Sequence, residues 1–237
     1  MSVLRSSALL GVVLAGCGAP QLLPTTLFHA PLARDAEPQA GDWARLTSSA
    51  LAACDQVAAS AAVGGGEWIV WATDAEHRGT LVLARRTAIG LEAQSFGSHV
   101  GPYVRPTIRG FVIGAMRVVV VESSSAASST DRDAWLYVAQ AGEIVPLALD
   151  GGEARLVVRA ERRDALESGW SRASTFTATF EADARGIIVH EHQSVREVAE
   201  GRPELSARST YEVERARTLS LREATLTSDR GSLFDED

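Results

Sequence analysis

Thr175-Phe176-Thr177-Ala178-Thr179-Phe180 makes every second residue apolar. Successive side chains of a strand point to opposite faces, so Phe176, Ala178 and Phe180 share one face and the three threonines the other. A helix of 3.6 residues per turn would scatter these residues around its whole circumference. The same period-two pattern recurs from Glu67 onward. Trp68 to Ala72 and Leu81 to Arg85 flank a turn at His77-Arg78-Gly79, and Trp135 to Ala139 and Glu143 to Leu147 flank Ala141-Gly142. Further turns fall at Asp150-Gly151-Gly152 and Asp183-Ala184-Arg185-Gly186. Short glycine turns between alternating runs predict an antiparallel meander. Phe111 to Glu122 reads as a single strand, and its Val118 to Val121 run is too apolar for one wet face, so cover on both sides is expected.

The segment before Glu67 reads differently. Trp43, Leu46, Ala50, Cys54, Val57 and Ala61 recur at steps of three and four, one helical stripe. Asp42 offers an N-cap oxygen, and Gly64-Gly65-Gly66 offers a stop. The expected fold is therefore mainly β (α+β). One N-terminal amphipathic helix packs on an antiparallel meander sheet, which is open or curved into a half-barrel. Residues 41–227 make a single domain large enough to bury its own core, and residues 228–237 read as a frayed acidic tail.

Residues 1–16 have the layout of an export signal. Arg5 supplies the positive charge, Ala8 to Leu14 the apolar stretch, and small residues follow. The stretch is far shorter than the roughly 20 residues a spanning helix needs. It ends in Leu14-Ala15-Gly16-Cys17, which closely resembles the lipobox of bacterial lipoproteins. The resemblance covers residues 1–17. It implies cleavage before Cys17, a diacylglyceryl thioether on the Cys17 sulfur, and attachment to a membrane through that lipid. Two acyl chains suffice for stable anchoring. Gly18 rather than Asp after the cysteine leans towards the outer membrane of a Gram-negative cell, or its periplasmic face. Residues 17–40 hold Pro20, Pro24, Pro31 and Pro38, the composition of a semi-extended tether. With Cys17 lipidated, Cys54 has no partner and is expected to be a buried free thiol on the helical stripe.

Apolar residues make up 46% and charged residues 22%, too apolar for a disordered chain. Every one of the 23 basic residues is arginine, and asparagine is absent. That excludes lysine Schiff bases, the phosphate-loop lysine and N-glycosylation. The formal charge is −7, and loss of residues 1–16 removes one arginine and no acid. So acidic a chain is a poor partner for nucleic acid.

Few residues carry a chemical suggestion. His190-Glu191-His192 places two imidazoles on one face of a strand, which can begin a site for a divalent metal. With Glu197 the spacing H-x-H-x-x-x-x-E resembles part of the cupin metal motif, which implies a metal-dependent enzyme. Gly186 and Gly201 stand too close for that motif, and no histidine follows His192. The competing reading is a pair of half-exposed polar residues on a strand without any cofactor. Asp74, Glu76 and His77 suit a solvated turn. Asp131 and Asp133 lack the spacing of a calcium loop, and Gly97-Ser98-His99-Val100-Gly101 reads as a loop. Helix followed by antiparallel sheet behind a lipid is similar in layout to outer-membrane lipoprotein carriers. That likeness implies a small apolar or lipid ligand in a hollow lined by Trp135, Phe176, Phe180 and Val119. The expected function is a lipid-anchored, non-enzymatic binding or structural module of the cell envelope. The alternative is a metal-dependent enzyme using His190 and His192.

Overall fold

Strands dominate because alternating segments satisfy their backbone N–H and C=O groups only by pairing side by side. The computed structural model describes residues 29–30, 38–50, 56–73, 78–102, 104–124, 130–140, 143–166, 169–199 and 207–235. Its first sheet is built from β1 (His29–Ala30), β2 (Gln56–Gly64), β3 (Glu67–Thr73), β4 (Arg78–Thr87) and β5 (Gly90–Pro102), in the order β1-β5-β4-β3-β2. Helix α1 (Ala40–Ala50) stands between β1 and β2 in the chain. All pairings in this sheet are antiparallel, and it curls into a half-barrel.

The second sheet begins with β6 (Val104–Ile113), β7 (Met116–Ser124), β8 (Arg132–Gln140) and β9 (Glu143–Pro146). Short β10 (Ala148–Leu149) and β11 (Gly152–Glu153) follow. The long β12 (Arg155–Leu166), β13 (Trp170–Ala182), β14 (Gly186–Ala199) and β15 (Ala207–Arg222) come next, then β16 (Thr225–Ser228). The path is β11-β10-β16-β15-β14-β13-β12-β8-β7-β6, with β9 on β8. Apart from a two-residue parallel contact of β10 with β16, the pairs are antiparallel. This sheet also bends. The Arg109 guanidinium on β6 lies 5.9 Å from the Phe180 ring on β13, although β7, β8 and β12 stand between them in the hydrogen-bonded order.

Three apolar layers result. Trp43 and Leu46 of α1 cover one face of the first sheet, against Trp68, Val70, Val82 and Leu91. Its other face, with Ile69, Trp71, Leu81 and Leu83, packs on the convex face of the second sheet at Val119, Val121 and Tyr137. The concave face of the second sheet collects Val118, Val120, Leu136, Phe176, Phe180 and Leu219. Val118 to Val121 are wholly buried because the strand separates the last two layers. Gly110 marks a close crossing of the sheets. A Cβ there would stand 2.8 Å from the Ala62 carbonyl oxygen and 2.9 Å from Val63 Cγ1.

Several boundaries differ from the sequence expectation. The described helix is Ala40–Ala50, and Gln56–Gly64 is a strand rather than the continuation of a helical stripe. A step of four residues keeps a side chain on the same face in either element, so Val57 and Ala61 fitted both periods. Gln56, Ser60 and Ala62 are exposed, while Val57, Ala59 and Ala61 are half-buried and Val63 is buried. Gly64-Gly65-Gly66 is a hairpin turn, not a helix stop. Gly64 pairs with Glu67, and the two residues between have φ of 63° and 71°, the sign a type I′ hairpin turn requires at both. The single strand expected over Phe111–Glu122 is likewise a hairpin, turning at Gly114-Ala115 between Ile113 and Met116.

Asp42 is the third residue of α1 rather than its N-cap. Its carboxylate reaches back to accept the Gln39 N–H at 2.9 Å and pairs with Arg45, the acidic half of a capping box. The Gln39 hydrogen bond, with help from Arg45, holds the Asp42 carboxyl below its ordinary value, and burial opposes the shift.

The segment after β16 is docked, not frayed, over the described residues 229–235. Leu233 is buried with the concave core, and Leu233–Asp235 forms a 3-10 turn.

Candidate functional site

The concave face of β14 carries Ile187, Val189, Glu191, Gln193 and Val195, all buried. Arg217 on β15 faces the same way. An apolar wall thus acquires a carboxylate and a guanidinium at its centre. Glu191 has no exposed side-chain surface, and a bare buried carboxylate would be prohibitively costly. Four donors meet it. Arg217 Nε donates to Oε1 at 2.8 Å, and Ser232 Oγ donates to the same oxygen at 2.8 Å. The Leu233 N–H donates to Oε2 at 3.0 Å, and Arg215 Nη2 stands 3.5 Å from that oxygen.

Two of these donors belong to the docked segment that follows β16. Arg215 Nη2 also donates to the Gly231 carbonyl at 2.7 Å, and Arg162 Nη1 to the Phe234 carbonyl at 3.4 Å. The Phe234 ring lies edge-on to Phe176 at 5.5 Å, and the Arg162 guanidinium covers it at 3.7 Å. Attraction between a cation and an aromatic face adds to burial there. Beside the segment opens a cleft of about 440 Å³, lined among others by Leu149, Asp150, Arg155, Arg217, Arg230 and Phe234.

The residues singled out from the sequence lie elsewhere. His190 and His192 share the outward face of β14, in a shallow groove of about 420 Å³ with Thr177, Thr179 and Glu214. His192 stands opposite Glu214 in register, and His190 Nε2 lies 3.4 Å from Glu181 Oε2. Among the described residues, no three His, Cys, Asp or Glu side chains gather to hold an ion.

The proposed ligand lining is divided. Phe176 and Phe180 belong to the concave core, whereas Val119 and Trp135 belong to the layer between the sheets. Alternation separates them: Leu136, beside Trp135, faces the concave side. No single hollow can be lined by all four. Arg155 covers the Trp135 ring at 5.6 Å and donates to Asp133 at 2.6 Å. Asp131 accepts the Glu161 N–H at 3.2 Å, so both aspartates have structural partners. Gly97 to Gly101, read as a loop, lies within β5. Cys17, Cys54, Asp74, Glu76 and His77 lie outside the described residues.

Sequence reasoning stopped at the two histidines and passed over the glutamate between them. The signal was present in parity. If His190 and His192 face outward, Glu191 faces inward in line with Val189 and Gln193. Arg215 and Arg217 likewise share the parity of Val213 and Leu219 on the neighbouring strand.

No model of a known protein family, no curated protein and no solved structure matches the chain. None of the described helices is long and apolar enough to cross a membrane.

Proposed function

We propose that the chain is a lipid-anchored lipoprotein of the cell envelope whose β body acts as a non-enzymatic binding or structural module. The observation that carries this reading is Leu14-Ala15-Gly16-Cys17 at the end of a short apolar run. The proline-bearing stretch 18–40 supports it as a tether, and the acidic body supports it too. A net negative surface gains nothing from anionic headgroups, so attachment falls to the lipid. The buried Glu191 carboxylate is already met by Arg217, Ser232, the Leu233 N–H and Arg215, which favours holding a conformation over reacting.

Detergent phase partition of the protein from its native host tests the anchor. The wild type should enter the detergent phase and Cys17→Ser the aqueous phase. Wild-type protein in the aqueous phase with an unmodified amino-terminal methionine overturns the reading.

The second reading, a metal-dependent enzyme, rests on His190 and His192 sharing the outward groove with Glu214 opposite. Its test is elemental analysis of the purified protein. One equivalent of a divalent metal, lost on His192→Ala, supports it. Metal well below one equivalent in both proteins removes it.

A further inference from the structure

We propose that the concave face of the second sheet is a peptide-binding groove, filled in cis by the chain's own segment Gly231–Asp235. This deepens the binding-module reading and rests on it. The ligand class is a short peptide with a hydroxyl residue, two large apolar residues and then an acid, the pattern of Ser232-Leu233-Phe234-Asp235.

The contacts are those of a ligand as much as those of a core. Glu191 accepts one hydroxyl and one backbone N–H from the segment, groups that any peptide of this pattern supplies. Arg215 and Arg162 hold the Gly231 and Phe234 carbonyls, which are backbone groups again. Side-chain selectivity comes from two places. Leu233 enters the apolar wall, and Phe234 lies between Phe176 and the Arg162 guanidinium.

Departure of the segment would not strand a buried charge. Arg217 Nε stays 2.8 Å from Glu191 Oε1, and Arg215 stands 3.5 Å from Oε2, so the carboxylate keeps its cationic partners. A buried carboxylate left alone would forbid that opening; one still paired permits it. The adjoining cleft of about 440 Å³ gives an incoming chain room to start before the resident segment has left. Phe234 is half-buried and Asp235 exposed, so the segment is open to solvent at its far end.

The test uses the full chain and a fluorescein-labelled peptide of residues 229–237, read by fluorescence anisotropy. The wild type should bind it weakly, because the resident segment competes at high effective concentration. Leu233→Asp, which ejects the resident segment, should bind the same peptide at least tenfold more tightly. A peptide carrying the same Leu233→Asp change should bind neither protein. A Leu233→Asp chain that keeps its β-sheet circular dichroism and does not bind the peptide overturns the groove. Should that variant unfold, hydrogen exchange on the wild type decides. The Leu233 amide should exchange well before the Val189 and Ile187 amides of β14, and exchange in step with them overturns the proposal. Neither result touches the anchor, which phase partition reads separately.

Discussion

The first sheet and the concave face of the second solve the same problem with different chemistry. On the first, both faces are apolar: α1 closes one with Trp43 and Leu46, and the second sheet closes the other against Ile69, Trp71 and Leu83. Its buried contacts are mainly apolar and non-directional, and complementarity of shape decides the packing. On the concave face, a buried ion pair sits among valines and phenylalanines, and donors from the segment after β16 complete its shell. A dry layer gains stability from buried area and from fit of shape. A satisfied polar cluster adds less net stability but admits few arrangements. The difference assigns cohesion to one region and selectivity to the other.

The comparison breaks most directly at Trp71, which has no exposed surface and lies between the sheets. Trp71→Ala should cost about 3–5 kcal/mol, as large-to-small changes in a closed core do. Urea denaturation followed by circular dichroism measures it. A cost below about 1 kcal/mol would show that the two sheets do not share a packed layer.

Glu191→Leu should cost about as much, 3–5 kcal/mol, for a different reason: it strands Arg217 in an apolar wall. Combining it with Arg217→Leu should recover most of that loss, because the charge to be desolvated has gone. A double-mutant cycle reads this as strong coupling. No second change should rescue Trp71→Ala in this way. Additive losses in the Glu191 and Arg217 pair would remove the distinction between the two regions.

Leu233→Ala should cost less than an interior leucine, about 1–2 kcal/mol against the usual 2–5. A segment that can leave caps the loss at its own docking energy, since the rest of the sheet keeps its pairing. A full-sized loss in the same denaturation measurement would make the segment an inseparable part of the core.

How much of this could be read in the sequence depends on which residues carried the period. Thr175 to Phe180 gave their faces away because large and polar residues strictly alternate, and all three apolar members are buried. The valine run 118–121 announced its two-sided cover by composition alone. Gln56–Gly64 stayed hidden because four of its nine residues are alanine, small enough for either element, and because the close crossing at Gly110 demands small partners. Propensity favoured a helix there and packing of the two sheets overruled it. The Glu191 cluster joins positions 191, 217 and 232, with partners up to 42 residues apart in the chain. Parity could mark Glu191 as inward, but nothing local tells a reader that Ser232 and Leu233 return to meet it. The acidic ending at Asp235-Glu236-Asp237 concealed the two apolar residues that dock just before it.

The smallest expected effect separates the helix-covered layer from the rest of the molecule by pH. Asp42 accepts the Gln39 N–H and pairs with Arg45, and its carboxyl is held below its ordinary value of 3.8. A lowered value in the folded protein means that folding favours the ionised form. Its contribution is therefore complete above that ordinary value and is lost as pH falls through the folded value. Asp42→Asn removes the charge at every pH, at a cost of about 0.5–1 kcal/mol near neutrality, the scale of a lost capping interaction. The two proteins should therefore differ at pH 7 and converge in acid. Trp43 of α1 and Trp68 of β3 lie 5.7 Å apart between ring centroids, so two of the five indoles report on this layer. Denaturation followed through that signal should show the gap closing below about pH 4. A gap of constant size down to pH 2 would mean that the carboxylate does not hold the start of the helix. The covered face of the first sheet would then owe its helix to Trp43 and Leu46 alone.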